Sequence, residues 1–143
     1  MTNEEPPFSR LILASQSSTR KRALEILGLT YECIPANIDE KAIRHPDPLK
    51  MAVILSEAKA LAVARKEEGI IIGADAFLIF DGKVLEKPGS MAEAYALLYS
   101  LSGNKHTFVT GLAVYDTLTK KMRSSVATCD IFFRPLFTKE IED

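Results

Sequence analysis

A run of small hydroxyl side chains ends in an arginine: Ser15, Gln16, Ser17, Ser18, Thr19 and Arg20. It follows an apolar stretch, Arg10 to Ala14, and leads into a helical pattern. Where a strand passes through such a loop into a helix, free backbone N–H groups and the helix dipole favour an anion. The serine hydroxyls add donors, and the forked arginine suits phosphate oxygens. The glycines and the Gly-Lys-Ser/Thr ending of a P-loop are absent. The plainer alternative is a serine N-cap before a basic solvated turn. Asp75 closes the apolar run Ile70 to Ala74, where a carboxylate is costly unless it is paired or used. There it either holds a divalent metal or acts as a general base, or it merely caps a turn. Asp39 and Glu40 precede the longest helical segment, and one of them could share a metal with Asp75. Surface acids are the usual explanation for such a pair. Lys59 lies on a mainly apolar helix face, so it either snorkels to solvent or points into a cleft. Lys87 follows a hairpin strand and could reach the same cleft, although a plain surface lysine is the commoner case. His106 reads as a loop or strand-start histidine. With His45 in a proline-flanked loop, no metal spacing and no nucleophile triad emerge.

These side chains need elements to position them. Arg10–Ala14 and Tyr31–Pro35 are short strand candidates. Between them Arg20–Leu27 has helical spacing and Gly28 as its C-cap. Asp39–Pro48 is loop or a short helical turn. Leu49–Glu68 is the longest helix, with Ala52, Leu55, Ala58, Lys59, Ala62 and Val63 on one face. Ile70–Ala74 is a strand ending at Asp75. Phe77–Phe80 and Lys83–Leu85 form a hairpin around Asp81-Gly82. Ser90 and Glu93 have capping-box spacing and open a helix through Leu101, ended by Gly103. His106–Tyr115 and Met122–Phe133 are longer strands. The order predicts a mixed α/β or α+β domain over residues 10–143 behind a loose tail, 1–9. Thr138–Glu142 reads as a helix start with Thr138 as N-cap. So short a helix is unstable alone, and the expectation is that a further segment or a partner chain completes it.

Composition narrows the class. The chain has 143 residues, 47% hydrophobic and 26% charged, with a net charge of −1. That length suits one domain, and the apolar fraction suits a folded one. Near-neutrality argues against non-specific nucleic-acid binding. No apolar run approaches the ~20 residues of a membrane span. The acidic, polar opening residues resemble neither a signal nor a transit peptide, so a cytoplasmic location is expected. Cys33 and Cys129 have no disulfide framework or metal spacing.

Taken together, the segments resemble the Maf family of septum-formation-associated nucleoside triphosphate pyrophosphatases. The matching motifs are Leu11 to Arg20 with Leu24; Ile38, Asp39 and Glu40; and Ser56 to Ala60. Further on come Ile72 to Asp75, Asp81-Gly82 and Glu86 to Pro88; then Leu101 to Gly103 with His106, Thr110 and Gly111. Phe133-Arg134 and Glu140-Ile141 complete the series. The matches occur in order from Leu11 to Asp143.

The resemblance implies a mixed twisted sheet flanked by helices, like that of inosine triphosphatases, with the C-terminal part of the fold missing. It implies cleavage of a nucleoside triphosphate between the α and β phosphates, with Mg²⁺ or Mn²⁺, as house-cleaning of pyrimidine or non-canonical nucleotides. Ser15, Arg20, Lys59 and Lys87 would bind phosphates. Glu40 and Asp75 would hold the metal, and Asp75 would activate water. Family members are often dimers, so a homodimer is an expectation too; nucleic acid and membrane are not expected partners. Ser18 stands where the family usually has proline, and Ala76 where it has Thr or Gln. Members also continue beyond the position of Asp143 into a segment that supplies a glutamine. The alternative is therefore a catalytically impaired nucleotide-binding or regulatory remnant linked to septum formation.

Overall fold

The computed structural model describes residues 10–85 and 88–143. The tail 1–9 and Lys87, with Glu86, lie outside the described residues. In chain order the elements are β1 (Leu11–Leu13), α1 (Ser18–Ile26), β2 (Glu32–Cys33), a 3₁₀ turn (Glu40–Ala42) and α2 (Pro48–Ala64). They continue with β3 (Ile70–Phe80), β4 (Lys83–Leu85), α3 (Met91–Leu101), β5 (Lys105–Asp116), β6 (Lys121–Phe132) and α4 (Thr138–Glu142). The six-stranded sheet runs β2-β1-β3-β5-β6, with β4 also on β3. β1 is parallel to β2 and β3, whereas β4 is antiparallel to β3. The expected mixed α/β class is what the chain adopts. Among the described residues no helix is long and apolar enough to cross a membrane.

The chain divides into two compact units. Among the described residues, one comprises 10–75 and 111–126, the other 76–85, 88–110 and 127–143. In the first, Ile12, Ala14, Ala60, Val63 and Ile71 form a buried core. Its strands start side by side: Arg10 grips Glu32 with two donors, at 2.6 and 3.0 Å, and Glu67 with a third, at 2.8 Å. Bidentate charge-assisted bonds of this kind fix geometry as well as adding energy.

Helix α2 meets the sheet where the sheet has no side chains. Alternation along β3 places Ile71, Gly73 and Asp75 on one face. A Cβ on Gly73 would lie 2.1 Å from the Ser56 carbonyl oxygen, and one on Gly111 of β5 would lie 2.3 Å from that of Ala52. The helix answers with small residues four apart, Ala52, Ser56 and Ala60, all fully buried. The Ser56 hydroxyl donates to the Ala52 carbonyl at 2.7 Å, so its burial leaves no donor unmet. One expectation changes here. The buried face is Met51, Ala52, Leu55, Ser56, Lys59, Ala60 and Val63, without Ala58 or Ala62.

The second unit holds the hairpin and the outer helices. Asp81 and Gly82 have φ of 51° and 74°, the left-handed pair that a two-residue turn requires. The Ser90 hydroxyl accepts from the Glu93 N–H at 3.1 Å, while Glu93 accepts from Gly89 at 2.6 Å, one residue earlier than a capping box predicts. At α4 the N-cap is Phe137 rather than Thr138. Glu140 accepts from the Phe137 N–H at 2.9 Å and takes a two-pronged bond from Arg134, at 3.0 and 2.8 Å. Ile141 is buried, and α4 packs against α3. Those contacts hold a helix too short to persist alone.

Candidate functional site

The loop after β1 takes the shape that its residues suggest. Ser17 is the N-cap of α1, its hydroxyl 3.4 Å from the Arg20 N–H. Ser15 reaches across the loop. Its Oγ accepts from the Ser17 N–H at 3.1 Å and from Arg20 Nη1 at 3.0 Å. The capping reading holds at Ser17. The cap meets the Arg20 donor, and the first N–H groups of a helix have no intrahelical partner. Arg20 folds back toward the loop instead of standing free in solvent. The parallel register, Leu13 opposite Ile72, brings this loop off the sheet beside the residues that lead to Asp75.

Asp75 lies inside β3, the sixth of its eleven residues, and not at a strand end. The sequence suggests a break there because an acid interrupts an apolar run. The strand continues because the carboxylate is paired. Lys59 Nζ lies 2.8 Å from Asp75 Oδ1 and 3.3 Å from the Ala74 carbonyl. Glu40 Oε1, from the 3₁₀ turn, completes the group at 2.8 Å from the same nitrogen. The lysine and aspartate side chains are 10% and 14% exposed, that of Glu40 54%. Lys59 is thus neither a surface lysine nor a snorkelling one. Helix α2 can present it this way because Gly73 and Ala60 let the helix lie against β3, with Asp75 two residues beyond the crossing. Desolvating an ammonium is costly unless acceptors replace its water, and three do.

The donor set can be tested against a divalent cation. Mg²⁺ is typically held by one or two carboxylates, with phosphate and water completing its shell. Glu40 and Asp75 each place an oxygen 2.8 Å from one point, so those oxygens are at most twice that far apart. Among the described residues no third His, Cys, Asp or Glu joins them. The chemistry of the pair suits a cation, which would draw its remaining ligands from a substrate.

Of the residues expected at the site, Ser15 and Arg20 form one group and Glu40, Lys59 and Asp75 another. Lys87 lies outside the described residues. His106 is the second residue of β5, buried against Phe133 with ring centroids 5.3 Å apart, and belongs to neither group. The residues missed by pattern reasoning are the ones that set the helix height: Ser56, Gly73 and Gly111. A glycine inside a strand facing small residues at helical spacing is the signal that could have found them.

Solved structures share this fold. The fold is shared with a HAM1 protein from Coxiella burnetii, at TM-score 0.57 and 19% identity over 86% of this chain and 72% of that one. It is shared as well with a nucleoside-triphosphatase, a dITP/XTP pyrophosphatase from Mycobacterium abscessus, at TM-score 0.52 and 15% identity over 86% and 73%. Within that fold the chain belongs to the Maf-like protein family, whose model matches residues 10–143. Relatives include a dTTP/UTP pyrophosphatase of Pelotomaculum thermopropionicum, 39% identical over 94% of this chain and 71% of its own length. A 7-methyl-GTP pyrophosphatase of Pseudoalteromonas atlantica is 37% identical, over 92% and 68%. A nucleoside triphosphate pyrophosphatase of Streptomyces avermitilis is 38% identical, over 96% and 68%.

Proposed function

We propose that this chain hydrolyses nucleoside triphosphates to a nucleoside monophosphate and pyrophosphate. The observation that carries the reading is the pairing of Glu40 and Asp75 with one lysine, Lys59, in a chain whose relatives are named for this reaction. A water oxygen attacks the α-phosphorus, the bond to the α–β bridging oxygen breaks, and pyrophosphate leaves with that oxygen. Asp75 is the base that accepts the water's proton. Arg20, Ser15 and the opening N–H groups of α1 bind phosphate oxygens, and Lys59 neutralises part of the triphosphate's charge. Such chemistry depends mainly on positioning and on charge stabilisation. A Mg²⁺ or Mn²⁺ ion on Glu40 and Asp75 would supply the Lewis acidity that draws charge from the phosphate. The resemblance extends this reading to Lys87 on the phosphates, a cytoplasmic homodimer, removal of pyrimidine or non-canonical nucleotides, and a link to septum formation.

The test is pyrophosphate release from a panel that includes dTTP, UTP, 7-methyl-GTP and dITP, with Mn²⁺ or Mg²⁺. Release by the parent and not by Asp75→Asn is the expected outcome. Turnover by Asp75→Asn at the parent's rate would remove Asp75 as the base. Binding without turnover by the parent would leave a nucleotide-binding protein in place of an enzyme.

A further inference from the structure

The ammonium of Lys59 has three N–H donors and three acceptors at hand: Asp75 Oδ1, the Ala74 carbonyl and Glu40 Oε1. It donates to the first two and is ion-paired with the third, so all three contacts are to groups of the protein itself. The same two carboxylates are the ones suited to a divalent cation, and they already share a positive charge. Two cations side by side on one carboxylate pair repel, the more so where solvent is scarce. Lys59 on its present partners and a divalent cation on Glu40 and Asp75 therefore exclude one another.

We propose that Lys59 is a built-in cation for the nucleotide-free site: it holds Glu40 and Asp75 together until a triphosphate draws it away and frees them for the metal. The proposal rests on the function given above for this site. Its two carboxylates are held differently by the fold. Asp75 is held within the long strand β3, and Glu40 stands half-exposed on a single 3₁₀ turn. The lysine's flexible stem lets its head change partners while α2 stays pressed against Gly73. Two consequences follow. Free metal binds the nucleotide-free protein weakly. The metal and the nucleotide enter together, because the triphosphate supplies both a new partner for Lys59 and the missing metal ligands.

The decisive measurement is Mn²⁺ binding to the nucleotide-free protein, by titration calorimetry or by electron paramagnetic resonance of unbound Mn²⁺. Lys59→Met removes the competing charge and keeps the length of the side chain. It is expected to bind Mn²⁺ at least ten times more tightly than the parent, and Lys59→Gln to do likewise. Equal or weaker binding by folded Lys59→Met overturns the exchange. Crystals of the parent give a second measurement that needs no variant. Soaked with Mn²⁺ alone, they should keep Lys59 on both carboxylates with no anomalous peak there. Soaked with Mn²⁺ and a triphosphate that cannot be cleaved between α and β, they should show Mn²⁺ on Glu40 and Asp75 and Lys59 on a phosphate oxygen. Mn²⁺ on both carboxylates with Lys59 unmoved overturns the proposal. Pyrophosphate release by the parent tests the function separately: turnover with no gain in Mn²⁺ affinity sinks the exchange alone. Absence of turnover sinks the function, whatever the Mn²⁺ ratio.

Discussion

Lys59 and His106 are both buried, 8% and 4% exposed, and they are treated in opposite ways. In the first unit the Lys59 ammonium is surrounded by a carbonyl and two carboxylates. In the second, His106 packs against Phe133, and its Nδ1 has no hydrogen-bond partner among the described residues. A buried polar atom left unmet costs about 1–3 kcal/mol, and an unpaired buried charge more. The lysine's partners offset that cost and bring Glu40 and Asp75 to one ammonium. The histidine packs on an aromatic ring instead, at a cost in stability. Burial of a polar side chain therefore has two outcomes in this molecule, and only the first gathers opposite charges.

The comparison can be broken in several ways, beginning with the largest effect. If the paired group is the reacting one, Asp75→Asn lowers pyrophosphate release roughly a thousandfold, in the range general bases usually contribute. Next comes the helix crossing that presents Lys59. Gly73→Ala puts a methyl group where the Ser56 carbonyl stands, 2.1 Å away, and backbone cannot yield as a side chain can. A loss of about 3 kcal/mol in urea denaturation is expected, at the upper end for overpacking, with activity falling as α2 is lifted. An unchanged denaturation midpoint would show that the helix does not need the glycine. For the other member of the comparison, His106→Leu removes the unmet nitrogen and keeps an apolar filling. It should raise stability by about 1 kcal/mol, read as a higher Tm. A lower Tm would mean that the nitrogen has a partner in solution.

The smallest effect concerns the exposed arginine clamps. The Arg134 fork, and then the Phe137 N–H, hold Glu140 below its ordinary value of 4.5; Arg10 does the same for Glu32. A carboxylate depressed in the folded state stabilises it above the unfolded-state value and loses that contribution as pH falls through the folded-state value. Glu140→Gln should therefore weaken the fold slightly at neutral pH and flatten its loss of stability below pH 4.5. Thermal melts across that range are the check. Curves of parent and variant that stay parallel would show that the clamp contributes nothing to acid sensitivity, as is common for exposed pairs.

Much of this could be read along the chain, because it depends on near neighbours. The Asp81-Gly82 turn, the Ser90 cap, the helical spacing of α1 and α2 and the alternation of β5 are local choices of backbone. Residue type also pointed to Ser15, Arg20, Glu40, Lys59 and Asp75, since acids and cations beside apolar runs demand an explanation. Three matters depended on distant parts of the chain meeting. Asp75 reads as the end of a strand, and only Lys59, sixteen residues earlier, lets β3 run on through it. Lys59 reads as a phosphate ligand from its motif, and the fold sets it on Asp75 and Ala74 and pairs it with Glu40, none of which its local sequence names. Gly73 and Gly111 stand in the sequence only as motif residues, and they are where α2 lies on the sheet. Local preferences name the elements. Which charge meets which, and at what height a helix crosses a strand, are fixed by close packing between segments remote in sequence, and only tertiary structure decides them.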